Sequence, residues 1–287
     1  MGLRINTNVA SLGVQSRALA TSNRLNQSLG RLASGLRVRG AADDASGLAR
    51  AERLRSEARS LAVAERNIQD GIAFARIAEA VANEVQAAVS RVRELTLQAL
   101  NGTASDEDRE LLQVEYAAVV ERMRSAVESS EFNGISVFDR PRRIEVQVGA
   151  DSGQTVEVRV GNLVAVARRL ATLDLRSPEL VLPNLDRAEQ FVAANRSRVG
   201  TAEARLESAL RRVQVTRENF VAAESRIRDV DVAEETASVV KEQILLGVGV
   251  TVLAQANLTP AIALVLLPGT SASGGLFQDS LNGPTPR

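Results

Sequence analysis

Two adjacent carboxylates, Asp43-Asp44, are the first place where this chain could do chemistry. Such a pair has the residue types for holding a metal ion or for acid–base work. It is also what caps a following helix, because an aspartate oxygen accepts from the exposed N–H groups of a first turn, and the capping role is expected here. The 287 residues contain no His and no Cys. That removes the usual general base near neutral pH, the thiol nucleophile, the commonest zinc ligands and any disulfide. Gly149-Ala-Asp-Ser-Gly153 has the glycines of a phosphate loop, but lacks the Lys-Ser/Thr pair and the following helix such a loop needs. It reads as a turn. No other set of polar residues stands apart, so a protein without catalytic activity, cofactor or metal is expected.

Binding chemistry is constrained as well. Aromatics make up 2% of the chain, with no Trp and one Tyr, Tyr116, which argues against modules that stack bases or sugars. Residues 1–42 hold no acid and six arginines: Arg4, Arg17, Arg24, Arg31, Arg37 and Arg39. They are not followed by the apolar core of a secretory signal. Taken alone they fit a nucleic-acid contact, an anionic lipid surface or a polar helix face. Residues 243–278 carry no charge. The stretch 244–267 is long enough to span ~30 Å of hydrocarbon, but Gln255, Asn257, Thr259 and Pro260 interrupt it. A helix buried between subunits is the expectation.

The elements that carry these residues follow from periodicity. Apolar residues alternate in steps of three and four along Leu61, Ala64, Ile68, Ala75, Ala78, Ala82, Val85, Val89 and Val92, with Gly71 at the missing position. This predicts a helix over 48–100, ending at Asn101-Gly102. Ser105, followed by Asp106, Glu107 and Asp108, starts a second helix that runs to about Ser129. Later, Leu185, Ala188, Val192, Asn195, Val199, Ala202, Leu206, Ala209, Val213, Thr216, Phe220, Ala223, Ile227 and Val230 hold a seven-residue repeat. That predicts a coiled-coil-like helix roughly 70 Å long at ~1.5 Å per residue. It needs a partner of similar length, and 48–100 is the candidate. Asn195 and Thr216 interrupt this seam, either to fix register or because they face solvent. Ile144, Val146 and Val148, then Val156, Val158 and Val160, alternate with polar residues and predict a β-hairpin at about 144–160. Pro178 and Pro183 punctuate the approach to the long helix. Ile5, Val9, Leu12, Leu19, Leu25, Leu29, Leu32 and Leu36 form a weak apolar stripe, and its simplest partner is the apolar C-terminal stretch. The Gly/Ser/Pro-rich residues 268–287 read as a disordered tail. The fold class is therefore mainly α: a long antiparallel helical rod with a small hairpin, and paired N- and C-terminal helices.

A series of short motifs stands in order towards both ends: Ile5-Asn6-Thr7-Asn8, Arg31-Leu-Ala-Ser-Gly-Leu36, Ala42-Asp-Asp-Ala-Ser-Gly-Leu48, Ala51-Glu-Arg-Leu-Arg55, Arg66-Asn-Ile-Gln-Asp-Gly71, Arg91-Val-Arg-Glu-Leu95, Asn101-Gly102, Glu131-Phe-Asn-Gly134, Ala223-Glu-Ser-Arg-Ile-Arg-Asp229, Gln243-Ile-Leu245 and Leu253-Ala-Gln-Ala-Asn257. In these motifs and their order the chain resembles bacterial flagellin. The chain departs from the family pattern at Leu246, Gly247 and Leu258, where polar residues are usual, and in the tail beyond Ala263-Leu-Val-Leu-Leu267.

The resemblance implies a secreted, extracellular subunit that polymerises with itself into the bacterial flagellar filament for swimming motility. It implies the minimal kind, without large variable outer domains. Residues 1–47 and 230–267 would form an inner coiled-coil domain, and 48–229 a rod. Further implied partners are a flagellar export chaperone, hook-associated and cap proteins, and the mammalian Toll-like flagellin receptor. The receptor would be met through Arg91, Leu95 and Glu115. Chaperone and subunit packing fall to Ile244, Leu245, Leu253, Leu264 and Leu267. Polar contacts at the domain link fall to Asp43 and Asp44 with Arg226 or Arg228. Nucleic acid is not among the implied partners. Two alternatives stay open on sequence: a hook–filament junction protein, and a membrane-anchored coiled-coil receptor or sensor with 244–267 as its anchor.

Overall fold

The computed structural model describes residues 7–265, and the side chains through Leu258. The calls on Ile5, Asn6, Leu267 and the 268–287 tail lie outside the described residues, as does the Leu264 side chain. Six helices and four short strands follow in the order α1 (Val9–Ser34), α2 (Ala41–Leu100), α3 (Asp106–Glu128), β1 (Glu131–Phe132), β2 (Ile135–Ser136), β3 (Arg142–Gln147), β4 (Thr155–Val160), α4 (Leu163–Ala171), α5 (Pro178–Arg228) and α6 (Val232–Val265). They divide into two compact units: Met1–Leu48 with Ile227–Arg287, and Ala49–Arg226.

In the Ala49–Arg226 unit, α2 and α5 lie antiparallel. Glu65 meets Gln214 (3.0 Å) and Arg217 (3.4 Å), Arg76 meets Glu203 (2.9 Å), and Arg93 meets Glu189 (2.8 Å) and Asp186. Every expected seam position of α2 from Leu61 to Val92 is buried, and so is every seam position of α5 from Leu185 to Val213. Beyond Val213 the seam is only half-buried. The ion pairs flank the seam on its exposed side, where each is worth ~1 kcal/mol or less. Apolar burial therefore holds the pair together.

Helix α3 starts as its sequence predicts. The Ser105 hydroxyl accepts from the Asp108 N–H, and the Asp108 carboxylate accepts from the Ser105 N–H, closing a capping box. Strands β3 and β4 pair antiparallel with Ile144 opposite Val158 and Val146 opposite Val156, and the valine face turns inward. Two positions without a side chain let the hairpin and its exit reach the helices. A Cβ on Gly71 would stand 2.8 Å from Val146 and 3.3 Å from Leu206; one on Gly161 would stand 2.6 Å from Asn195 and 2.7 Å from Phe191.

Within this unit the structure departs from the sequence expectation in three places and decides between two readings in a fourth. A second hairpin, β1–β2, turns at Asn133 (φ 50°) and Gly134 (φ 73°), the left-handed pair a two-residue turn requires. The edge of Phe132 packs on Phe74, with ring centroids 5.9 Å apart. Helix α4 stands where no element was expected; it is short and strongly one-sided, burying Leu163, Val164, Ala167 and Leu170. Pro178 does not precede α5 but opens it, where a missing N–H costs nothing, and Pro183 lies inside it. Asn195 is buried and Thr216 half-buried, so the two interruptions of the seam are not equivalent.

Candidate functional site

In the other unit, α1 and α6 run antiparallel along their whole described length. The Asn8 side-chain amide donates to the Ala256 carbonyl (2.8 Å), Arg24 pairs with Glu242 (3.5 Å) and Arg31 with Glu235 (3.9 Å). Leu36 bridges Asp229, and the Arg37 N–H donates to the Arg228 carbonyl (2.7 Å).

The contact face of α1 shares only Leu25 and Leu32 with the stripe expected from sequence. It consists of Ser11, Val14, Ala18, Thr21, Leu25, Ser28 and Leu32, all buried or half-buried and in strict 3-4 spacing. Facing it on α6 are Glu235, Val239, Glu242, Leu246, Gly249, Leu253 and Ala256. The reason is size: Ser, Ala and Thr let the helices approach closely, and a hydrophobicity filter passes over them. Leu246, one of the departures from the family pattern, belongs to this seam. The larger apolar side chains face outward. Val9, Leu12, Leu19 and Leu29 are exposed on α1, and Leu19 reaches 67%. On α6, Ile244 (61%), Leu245, Val248, Val250, Val252 and Leu258 are exposed, so this helix is apolar around its circumference. A helix of that kind calls for further burial. Of the residues expected for packing, Ile244 and Leu245 point outward and Leu253 lies half-buried in the seam.

At the start of α2 the two aspartates have separate tasks. Asp44 is extended (φ −161°, ψ 100°), and its carboxylate accepts from the Gly47 N–H (2.9 Å), so it caps the straight part of the helix. The Asp43 carboxylate accepts from the backbone N–H groups of Arg39 (3.0 Å) and Gly40 (3.3 Å). The Arg39 N–H bond is the main reason its pKa lies below the usual carboxylate value; the Gly40 N–H and the Arg39 guanidinium add to it. Arg228 meets the adjoining loop through its carbonyl, and Arg226 is an exposed residue of α5.

The expected receptor contact divides. Arg91 and Glu115 are exposed and joined across α2 and α3 (Nε to Oε1, 3.0 Å), with Glu94 on the same guanidinium (2.9 Å). Leu95 has no exposed surface. A spacing of four keeps two residues on one side of a helix, but Leu95 falls on the core side of that arc. It belongs to the hydrophobic core of the rod.

Among the described residues no group of three or more acids could hold a metal ion. What the geometry defines is an assembly protein: a packed rod, plus a two-helix unit many of whose large apolar side chains have no partner among the described residues. Residues 5–141 match the bacterial flagellin N-terminal helical region, and residues 182–267 match the C-terminal helical region. The chain is 35% identical to flagellin FlaB2 of Treponema pallidum (strain Nichols), over 92% of this chain and 99% of that one. It is 31% identical to flagellin of Bacillus subtilis (strain 168), over 92% and 100%. A crystal structure of Bacillus cereus flagellin overlays 52% of this chain and 88% of its own, with a TM-score of 0.47 and 26% identity. The chain belongs to the bacterial flagellin family, the structural subunits of the flagellar filament.

Proposed function

We propose that this chain is exported and then polymerises with copies of itself through the α1–α6 unit. The observation that carries this is the outward apolar surface of α6 beside a small-residue seam. The seam takes Ser, Ala and Thr with a minority of the leucines and valines, and leaves Val9, Leu12, Leu19, Leu29, Ile244, Leu245, Val248, Val250, Val252 and Leu258 to neighbouring copies. Before assembly the same surface is an aggregation hazard, so an export chaperone covers 244–267, with Ile244 and Leu245 at the centre. Hook-associated and cap proteins bound the polymer at its two ends. In the free monomer, Arg91, Glu94 and Glu115 present a charged patch to the Toll-like flagellin receptor, and Arg91→Ala monomer should then signal less than unmodified monomer.

Val232–Leu258 is also long and apolar enough to cross a bilayer. The pairing of its other face with α1, through Arg24–Glu242 and Arg31–Glu235, favours assembly over a membrane anchor. Seeded polymerisation of the full chain and of a 1–243 truncation, viewed by negative-stain microscopy, tests this. Filaments are expected from the first and none from the second. Normal filaments from the truncation would refute the reading. Partition of the full chain into detergent, with no filaments, would favour the anchor.

A further inference from the structure

Helices α3 and α5 each carry a second seven-residue pattern, and both patterns face solvent. On α5 it runs Arg198, Thr201, Arg205, Ser208, Arg212 and Val215, every residue exposed, beside the buried seam of the same helix. The three guanidiniums recur about 10.5 Å apart along the axis. Among the described residues none of the three guanidinium groups has an ion pair or a side-chain hydrogen bond. In the same unit Arg76, Arg91, Arg93, Arg109 and Arg124 are all paired. Strand β4 adds Arg159 along this strip, and the strip and strand enclose adjoining grooves of 280 and 520 Å³. The two acids there are Glu145 and Glu157, and Glu157 is already engaged by Arg143 and Arg159.

On α3 the exposed pattern is Glu107, Leu111, Val114, Ala118, Glu121, Ser125 and Glu128. Leu111 (68%) and Val114 (67%) are among the most exposed large apolar residues of the chain. We propose that this stripe of one copy lies antiparallel along the arginine strip of a second copy. In the register that sets Glu121 against Arg205, Glu128 falls against Arg198 and Leu111 against Val215. Ser125 then meets Thr201, Ala118 meets Ser208, and Val114 lies along the aliphatic stem of Arg212, so two of the three arginines face acids and the third covers an apolar side chain. Glu121 and Glu128 hold Arg124 in the isolated chain, at 2.8 and 3.9 Å. Those exposed pairs are cheap to exchange. Because the two surfaces differ, the contact is head-to-tail and propagates instead of closing on itself. The proposal rests on the filament reading and names one contact within it.

Full-length Arg205→Glu, Glu121→Arg and the double variant test it, each checked for unchanged melting by circular dichroism. Both residues are exposed, so the fold should stand; Arg205→Gln and Glu121→Gln take their place if a reversal unfolds the chain. The readout is the critical concentration for elongating seeds. Each single reversal should raise it by about tenfold or more, and the double variant should return to within about threefold of the unmodified chain. Single variants that elongate normally overturn the contact, and so does a double variant as impaired as the singles. An unmodified chain that never elongates seeds overturns the filament reading itself, and this contact with it.

Discussion

Asn195 is a polar side chain sealed into the seam position of α5, and removing it gives a sharp test of how the rod is held. Its carbonyl oxygen accepts the Gly161 N–H at 2.6 Å, and its amide donates to the Phe191 carbonyl at 3.3 Å. Asn195→Ala leaves the Gly161 N–H buried with no acceptor, which costs about 1–3 kcal/mol. Loss of the second bond adds little, because the Phe191 carbonyl lies within the helix ladder. The better helix propensity of Ala returns roughly half a kcal/mol, and a small cavity takes a similar amount away. The net is a loss of about 1–3 kcal/mol. For a domain of ~150–250 residues that lowers Tm by roughly 3–10 °C. Thr216→Ala is the control: Thr216 is half-buried and bonds only the Arg212 carbonyl one turn back (2.8 Å), so its cost should stay below about 0.5 kcal/mol. Differential scanning calorimetry of both variants decides, with amide exchange at Gly161 as a second readout. Equal melting of the two variants, with the Gly161 amide still protected in Asn195→Ala, would refute the assigned bond.

Leu206→Asp, at a position with no exposed surface, should cost on the order of 3–5 kcal/mol by burying an unpaired charge, read by urea denaturation; an unchanged midpoint would contradict the seam. Tyr116 is the only tyrosine, and burial pushes its pKa up to about 12. Its ultraviolet phenolate titration should be shifted upward by that amount. The unfolded chain then loses the phenol proton first, so stability falls as pH rises from about 10 towards 12. Tyr116→Phe removes the bond to the Leu170 carbonyl (2.7 Å) and should cost about 1–3 kcal/mol. The Ser105 hydroxyl, then the Ser105 N–H, hold Asp108 below its ordinary pKa. The capping box is therefore fully stabilising above about pH 4 and weakens as pH falls through the lowered folded value. Asp108→Asn should flatten that part of an acid-melting curve, and a slope identical to the unmodified chain would count against the box.

The rod was legible in the sequence because its seam is made of large or medium apolar residues at fixed spacing; from Leu61 to Val92 and from Leu185 to Val213 each position is buried. The same filter misled at α1, where Ser11, Thr21 and Ser28 make the contact and Val9, Leu12 and Leu19 do not. Periodicity was present there, but in residue size. Helix α4 is too short, at nine residues, for a periodic signal to emerge, although Asn162 as its cap was readable. The Asn133-Gly134 turn was a plain hairpin signal, hidden by strands of two residues. Of the three residues taken from the family resemblance, Arg91 and Glu115 are exposed, but a four-residue step from Arg91 cannot say where the core begins, and Leu95 lies inside it. The arginine strip of α5 was invisible for another reason: nothing in the sequence says which arginines lack partners.

Arg37 and Ile227, hydrogen-bonded at 2.9 Å, are 190 residues apart in the chain. When α1 leaves the ribosome, the helix it needs has not yet been made. Closing so long a loop from a random coil costs roughly 4–5 kcal/mol of chain entropy. Antiparallel pairing of α2 with α5, tied at Glu65 with Gln214 and Arg217, shortens the loop left to close and lowers that cost by about 1 kcal/mol. A chain whose middle is kept unfolded meets the full entropy of that closure, so its two ends have little to hold them together.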